Sequence, residues 1–187
     1  MRQINTSPLV KTYTLEEFWE LPEPSDYSKL ELIAGVLYLT SHPDLHHSNI
    51  VSRLVRLLSD HLLTADHEGN LCVPRTGILS KPSTWLEPDF FYVTSNTTLN
   101  GEYYTTADLV VEVISEESAI YDRNTKADTY AALRVKELWL VDPLSRRIEV
   151  RVLKGEEYES IVVERNERLT STVLPELEFK VGDVFGD

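Results

Sequence analysis

The sequence predicts an α/β (α+β) fold in which a central mixed β-sheet is flanked by a few helices. Along the 187 residues, the local patterns follow the order helix, hairpin, helix, several strands, helix and several strands. Within residues 108–142 a strand pattern, a helical pattern and a second strand pattern succeed one another, which favours a right-handed crossover. Strands joined in this way are parallel, so we expect these two to be neighbours at the centre of the sheet.

The N-terminal third contains two helical patterns and a hairpin. Thr14-Leu-Glu-Glu17 has the spacing of a capping box and predicts a short helix that ends before Pro22. KLELIAGVLYLT, residues 29–40, predicts two strands joined at Ala34-Gly35. The longest helical pattern begins after Asp44, and its apolar residues recur at steps of three and four: Ile50, Val51, Leu54, Leu57, Leu58 and Leu62.

The rest of the chain consists mainly of short strand patterns. They are NLCVP (70–74), TGILS (76–80), WLEPDFFYV (85–93), DLVVEVIS (108–115), KELWLVD (136–142), RRIEVRVL (146–153) and EYESIVVE (157–164). A helical pattern from about Asn124 to Arg134 separates the fourth from the fifth, and the last three favour a meander. We expect residues 1–12 to be a loose tail, residues 13–187 to form a single domain, and the segment after Leu177 to be a short C-terminal tail.

Composition excludes several classes of protein. Hydrophobic residues make up 42% and charged residues 26% of the chain, which is typical of a globular protein. No run of eighteen apolar residues occurs and the N-terminus has no apolar signal segment, so we expect no membrane span and a cytoplasmic location. The single cysteine, Cys72, excludes an internal disulfide.

The net charge of −13 argues against a broad electrostatic attraction to nucleic acid or to anionic lipid. It does not exclude a local basic groove, and a bound Mg²⁺ would change the field around an acidic site. The candidates for such a groove are Arg53, Arg56, Arg75, Lys81, Arg123 and Lys126.

An acidic residue stands in the middle of the strand pattern ADLVVEVIS, residues 107–115. In an extended strand Glu112 shares one face with Val110 and Ile114, so it lies on an apolar stripe at the predicted centre of the sheet. A buried carboxylate is costly unless it is paired, protonated or bound to a metal. Glu112 is therefore either a site residue or a structural residue that pairs with an arginine or reaches the edge of the sheet.

Two further acids stand in apolar strand patterns. Asp89 follows Pro88, and a proline in a strand marks an edge, a start or a bulge that can direct a side chain into a site. Glu31 lies between Leu30 and Leu32 in the first hairpin strand. The structural alternatives are a turn or bulge carboxylate for Asp89 and a solvent-facing hairpin residue for Glu31.

Together the three acids favour a metal site. Mg²⁺ is a hard cation that prefers oxygen ligands and binds few carboxylates together with waters. Asp89 and Glu112 could hold one such ion, with the backbone carbonyl of Val113 as a third ligand. Glu31 could bind a water of that ion or a second ion.

Lys126 adds a cation to this group. Lys126, Tyr130 and Leu133 follow one another at i, i+4 and i+7, so they share one face of the predicted helix. If that face packs on the sheet, the ammonium lies just beyond the end of the strand that carries Glu112, where it could orient a water or neutralise charge on a phosphorane. The alternative is a lysine that extends towards solvent and forms a salt bridge with Asp122 or Asp128.

Other motifs indicate no further site. His42, His46 and His47 stand at a helix start without zinc-ligand spacing, and helix capping and solvation explain them better than metal binding. Ser115 and Ser118 have no nucleophile-elbow context, and no glycine-rich phosphate loop occurs.

Glu31, Pro88-Asp89, Glu112-x-Ile114 and Lys126 resemble, in type and order, the motif of the PD-(D/E)XK, restriction-endonuclease-like superfamily. More specifically, the chain is similar to the Uma-two (Uma2) family of restriction-endonuclease-like proteins. The likeness covers roughly residues 14–185 and is carried by KLELIAGVLYLTS (29–41), LEPDFFYV (86–93), ADLVVEVISEESAIYDRNTKADTYAAL (107–133), VKELWLVDPLSRRIEV (135–150) and LPELEF (174–179). The superfamily places a lysine where this chain has Ile114. Members of the family take it from the following helix, and Lys126 is the matching position.

The resemblance implies a restriction-endonuclease-like fold and a Mg²⁺-dependent endonuclease that hydrolyses DNA phosphodiester bonds, with Mn²⁺ as an alternative ion and a homodimer as the assembly. Asp89 and Glu112 would bind the metal, and Lys126 would support the nucleophile and the transition-state charge. Glu31 would be an auxiliary metal or water ligand. Two other functions stay open: a catalytically weak or inactive binding or regulatory module that retains the fold, and a metal-dependent hydrolase of a small phosphoester.

Overall fold

The helices and strands are taken from a computed structural model that describes residues 11–25, 28–65, 68–94, 99–115 and 121–186. Within these ranges the helices are α1 (Leu15–Trp19), α2 (Leu45–Thr64), α3 (Ala127–Ala132) and α4 (Gly182–Phe185), and a π-helical turn, Asp122–Lys126, directly precedes α3. The strands are β1 (Lys29–Ile33), β2 (Val36–Thr40), β3 (Asn70–Cys72), β4 (Ile78–Ser80), β5 (Thr84–Leu86), β6 (Phe90–Val93), β7 (Leu99–Asn100), β8 (Tyr103–Tyr104), β9 (Leu109–Val113), β10 (Glu137–Asp142), β11 (Arg147–Lys154), β12 (Glu157–Val163), β13 (Arg168–Thr170) and β14 (Glu178–Lys180). None of these helices is both long and apolar enough to cross a membrane.

The described strands form two six-stranded sheets and one two-stranded sheet. The first sheet has the order β2-β1-β5-β4-β8-β7, and the second has the order β12-β11-β10-β9-β6-β3. In the second sheet β9 and β10 are parallel central neighbours, while the other pairs are antiparallel. The α/β (α+β) class, the parallel central pair and the closing meander of β10, β11 and β12 are therefore confirmed. The second sheet is the predicted central mixed sheet.

The two faces of β9 lie against different parts of the molecule. Its odd-numbered residues pack into a core with α2 and with the C-terminal segment. Val110 and Ile114 pack into another core with α3 and with residues of the first sheet such as Ile33 and Leu86. Glu112 lies on this second face and is only 3% exposed. The predicted alternation and the predicted burial of Glu112 are both confirmed.

The elements before the second sheet begin and end as their patterns predict. Thr14 caps α1 in a complete capping box with Glu17, and the Asp44 side chain caps α2 by accepting a hydrogen bond from a backbone N–H of its first turn. Ala34 and Gly35 join β1 to β2 with φ angles of 48° and 83°. Such left-handed values belong to a tight hairpin turn and favour glycine.

The prediction of one strand over residues 85–93 is wrong. Thr84–Leu86 is β5 of the first sheet, whereas Phe90–Val93 is β6 of the second sheet. Pro88 stands between them, and a proline has no N–H to donate to a strand ladder, so pairing is interrupted there. The chain leaves one sheet and enters the other through residues 87–89, which places Asp89 at the junction of the two sheets.

The helix after β9 also differs from its prediction. Instead of one α-helix from about Asn124 to Arg134, a π-helical turn over Asp122–Lys126 leads into the shorter α3. A π-helical turn closes its hydrogen bonds one residue later than an α-helix, and such turns are frequent at functional sites. Lys126 is the last residue of the turn, and Tyr130 in α3 is fully buried against the sheet.

The segment after Leu177 is not the tail that the sequence predicts. It forms β14, which pairs with β13, and then α4. Phe179, Val184 and Phe185 are buried in the core that also contains the odd-numbered residues of β9. Each of these elements is only three or four residues long, too short for a periodic pattern to be recognised.

We expect Phe179→Ala to lower the free energy of unfolding by about 3–5 kcal/mol, because it leaves a cavity where a buried ring packs against Trp139. Chemical denaturation followed by circular dichroism measures this change. Lys180→Ala, an exposed neighbour in β14, is the matched control and should change the same quantity by less than about 0.5 kcal/mol. Equally small effects of the two substitutions would show that the segment contributes nothing to the core.

Candidate active site

Four charged side chains that the sequence singles out come from four separate parts of the chain. Glu31 lies in β1 of the first sheet, Glu112 in β9 of the second sheet, Asp89 in the segment between the sheets, and Lys126 at the end of the π-helical turn. The structure brings Glu31, Glu112 and Lys126 into direct contact. It places Asp89 against the backbone of Val113, the residue after Glu112.

Lys126 is a buried cation surrounded by carboxylates. Its Nζ lies 2.9 Å from Glu112 Oε1, 3.0 Å from Glu31 Oε2 and 3.7 Å from Asp122 Oδ1. Burial alone would lower the pKa of Lys126, but the negative charges around it outweigh that effect and raise the pKa well above its ordinary value. The alternative of a lysine extending to solvent is wrong, although the suggested pairing with Asp122 exists. Asp128 is exposed.

Glu112 is the acid whose proton affinity is most altered. Its Oε1 accepts hydrogen bonds from Lys126 Nζ at 2.9 Å and from the Tyr130 hydroxyl at 2.6 Å. Burial raises the pKa of Glu112 to about 7, with Lys126 acting in the opposite direction and Asp89 in the same one. Glu112 therefore takes up a proton at a higher pH than an ordinary glutamate.

Asp89 is held from two sides. Its Oδ2 accepts a hydrogen bond from the backbone N–H of Val113 at 2.7 Å. Its Oδ1 lies 3.2 Å from His47 Nε2 and 3.9 Å from Lys29 Nζ. Burial favours the protonated acid, but the hydrogen bond from His47 and the charge of Lys29 outweigh it and lower the pKa of Asp89. Asp89 is therefore a carboxylate at neutral pH, beside the strand that carries Glu112.

Glu31 is buried, so the alternative of a solvent-facing hairpin residue is wrong. Its Oε1 accepts a hydrogen bond from the backbone N–H of Glu87 at 2.8 Å, and its Oε2 contacts the Tyr121 hydroxyl and Lys126 Nζ. Both oxygens are thus engaged by protein donors. Glu31 links the first sheet to the segment that carries Asp89 and to the π-helical turn.

His47 and Lys29 are site residues that the sequence analysis missed. His47 lies in the first turn of α2 and contacts Asp89, whereas capping and solvation were the expected roles of this histidine. Burial would lower the pKa of His47, but the hydrogen bond to Asp89 raises it above its ordinary value. Lys29 could have been found, because it precedes Glu31 by two residues and so shares its face of β1. No local pattern marks His47, because its contact is formed only by the tertiary fold.

The basic residues considered for a local groove are largely occupied by protein acceptors. Four of the six contact carbonyl or carboxylate oxygens: Arg53, Arg75, Arg123 and Lys126. These four therefore do not form a free basic groove.

The oxygen donors at the junction suit a hard divalent cation. Glu112 accepts its hydrogen bonds at Oε1, and Oε2 accepts none from the part of the chain that the structure describes. Asp89 lies against Val113, so two carboxylates and one backbone carbonyl belong to the same small region. Among the described residues, no three His, Cys, Asp or Glu side chains converge so as to enclose an ion by themselves. Mg²⁺ commonly binds through only one or two carboxylates and keeps several waters, so the donor set fits this ion.

Comparisons with known proteins place the chain in a family. The family model described as "Uma2: Putative restriction endonuclease" matches residues 15–182. Among solved structures, the chain is similar to "a putative nuclease belonging to DUF820" from Anabaena variabilis ATCC 29413, with a TM-score of 0.74, 20% sequence identity, and coverage of 92% of this chain and 97% of that chain. At that identity the similarity shows a shared fold. No curated protein matches. Because the family model spans nearly the whole sequence, the chain belongs to the Uma2 family.

Proposed function

We propose that the chain is a Mg²⁺-dependent endonuclease that hydrolyses phosphodiester bonds in DNA. The observation that carries the proposal is the convergence of Glu31, Glu112 and Lys126, with Asp89 on the adjacent backbone, at the junction of the two sheets. The description of the Uma2 family and the fold shared with a nuclease support the same reaction class.

Mg²⁺, or Mn²⁺ in its place, would be held by Asp89, Glu112 and the backbone carbonyl of Val113. When bound, such an ion makes a coordinated water more acidic and neutralises charge that develops on a phosphoryl group. Hydrolysis adds the water oxygen to phosphorus and breaks the bond from phosphorus to one sugar oxygen. The protein therefore has to orient its carboxylates and keep a phosphate close to them.

The surrounding residues orient the two carboxylates. The Val113 N–H and His47 fix Asp89, while Lys126 and the Tyr130 hydroxyl fix one oxygen of Glu112. Each carboxylate is thereby held by two separate elements, which is the preorganisation that a catalytic site requires. Glu31 acts on the site through Lys126, since its own oxygens are already bonded to protein donors.

The partners carried over from the family are DNA and a second copy of the chain. The location carried over is the cytoplasm. A homodimer should give twice the mass of the chain in light scattering after size-exclusion chromatography, and a single-chain mass at all concentrations would contradict it.

The second candidate function is a catalytically weak binding or regulatory module. The net charge of −13 and the engagement of Lys126 by three carboxylates favour that reading.

Supercoiled plasmid DNA should be nicked by the protein in Mg²⁺ and left intact in EDTA. Asp89→Asn and Glu112→Gln should each lower the nicking rate by at least about 100-fold, the order expected when a directly acting group is lost. Conversion to open circles on an agarose gel measures the rate. Asp128→Asn removes an exposed carboxylate of α3 and should leave the rate unchanged.

Two results would contradict the proposal in different ways. Variants of Asp89 and Glu112 that nick as fast as the parent would show that the active site lies elsewhere. A parent protein that neither nicks DNA nor binds Mg²⁺ in calorimetry would favour the binding or regulatory module.

In metal-free buffer, Glu112 should make the parent protein less stable as pH rises. Its pKa in the folded protein, about 7, lies above its ordinary value, so the folded state binds more protons between these two values and stability falls across that interval. Glu112→Gln removes this dependence, so the melting temperature of the variant in EDTA should change less with pH than that of the parent. Thermal melts of parent and variant between pH 4.5 and pH 8 measure the difference.

Mg²⁺ should affect the melting temperatures of the two proteins differently. A ligand that binds only the folded state raises its melting temperature by mass action, so Mg²⁺ should stabilise the parent and leave Glu112→Gln unchanged. Asp128→Asn should behave like the parent in both buffers. A glutamine variant that gains as much stability from Mg²⁺ as the parent would show that Glu112 does not bind the metal.

A further inference from the structure

Two lysines lie at the candidate site, and their surroundings differ. The Lys126 side chain is 2% exposed and is enclosed by carboxylates, whereas the Lys29 side chain is 24% exposed. A substrate phosphate arrives from solvent, so the exposure of each ammonium decides which one it can meet without rearrangement of the site.

Lys126 is committed to the protein. Its ammonium has three N–H donors, and it lies within 3.0 Å of Glu112 and Glu31 and 3.7 Å from Asp122. The Tyr121 ring lies 5.5 Å from the same nitrogen. To touch a phosphate, Lys126 would have to leave buried carboxylates that would then lack a counter-charge, which is strongly unfavourable in a region of low polarity.

Lys29 has the opposite character. It lies two residues before Glu31 in β1 and therefore on the same face of the strand. Its Nζ donates one close hydrogen bond, to the backbone carbonyl of Glu87 at 2.6 Å, and lies 3.9 Å from Asp89 Oδ1, beyond hydrogen-bond distance. Within the described residues these contacts leave donors of the ammonium for a ligand.

The position of Lys29 also matters for the charge of the site. Asp89 and Glu112 would repel a phosphodiester, and Lys29 is electrostatically coupled to both of them. A compact ammonium on the more exposed side of these acids can bind a phosphate oxygen as a point charge. Lys29 could make that contact without breaking an ion pair, because it has none at hydrogen-bond distance among the described residues.

We propose that Lys29 contacts a non-bridging oxygen of the scissile phosphodiester, and that Lys126 is a positioning residue that holds Glu112 and Glu31 in place. This inference rests on the proposed function and deepens it. The support of the transition-state charge that the family resemblance implies for Lys126 is thereby assigned to Lys29.

The test measures DNA binding and cleavage separately. Fluorescence anisotropy of a labelled DNA duplex at several salt concentrations, with Ca²⁺ replacing Mg²⁺ to suppress cleavage, gives the slope of log K against log salt. Loss of one phosphate contact reduces the steepness of that slope by about 0.9. Lys29→Met should show this reduction and lose about 100-fold in kcat for cleavage in Mg²⁺, while Lys29→Arg should recover most of the slope.

Two further variants make the comparison specific. Lys154→Met removes an exposed lysine at the end of β11 and should leave both the slope for DNA and the cleavage rate unchanged apart from general charge effects. Lys126→Met should keep the salt slope and lower the melting temperature, because Glu31 and Glu112 lose their counter-ion. It should also weaken Mn²⁺ binding in calorimetry, because Glu112 loses the hydrogen bond that orients its carboxylate.

The outcomes separate the two proposals. If the parent cleaves DNA but Lys29→Met keeps the parental slope and kcat, the assignment of Lys29 is overturned and the endonuclease function stands. The assignment is equally overturned if Lys126→Met folds and binds Mn²⁺ normally but shows the reduced salt slope of DNA binding that marks the loss of a phosphate contact. A parent protein that neither binds nor cleaves DNA overturns the endonuclease function, and the role of Lys29 with it.

Discussion

The buried ammonium of Lys126 is the interaction on which the junction of the two sheets depends. It bonds to Glu31 from the first sheet and to Glu112 from the second, so one cation joins the two sheets. Removing one partner from a buried ion pair typically costs about 3–5 kcal/mol, because the remaining charge has no counter-ion. The relative position of the two sheets and the geometry of the candidate site therefore have the same cause.

The same cluster carries more negative than positive charge. Four carboxylates, those of Glu31, Asp89, Glu112 and Asp122, face two ammonium groups and the His47 ring. Burial and the excess of negative charge both act on Glu112 and raise its pKa to about 7. Such an arrangement reduces stability, and natural proteins accept that reduction chiefly at functional sites. An added divalent cation would balance the excess, which is how a chain with a net charge of −13 could still bring a phosphodiester close to its acids.

Features of the fold and the site that depend on local periodicity could be predicted from the sequence. The alternation of side chains along a strand placed Glu112 on a buried face, and the i, i+4 spacing of a helix placed Lys126 on the same side as Tyr130. Two features could not be predicted: the passage of the chain from one sheet to the other at Pro88, and the burial of Phe179. Both depend on tertiary packing and not on a periodic pattern in the local sequence. His47 was missed for a related reason: its contact with Asp89 joins residues 42 positions apart, and its neighbours in sequence suggest only a helix start.

Ile114, where the resemblance to the PD-(D/E)XK superfamily leads one to expect a lysine, fits the packing around β9. Ile114 is 5% exposed and belongs to the core between the second sheet, α3 and the first sheet, where an ammonium would replace apolar contacts. The π-helical turn delivers the cation from the next element instead and brings it to the buried end of Glu112. A lysine that arrives from this side neutralises the acids from within the protein. The outer side of Asp89 is then left to Lys29 and His47, so the depth of each cation follows from the element that carries it.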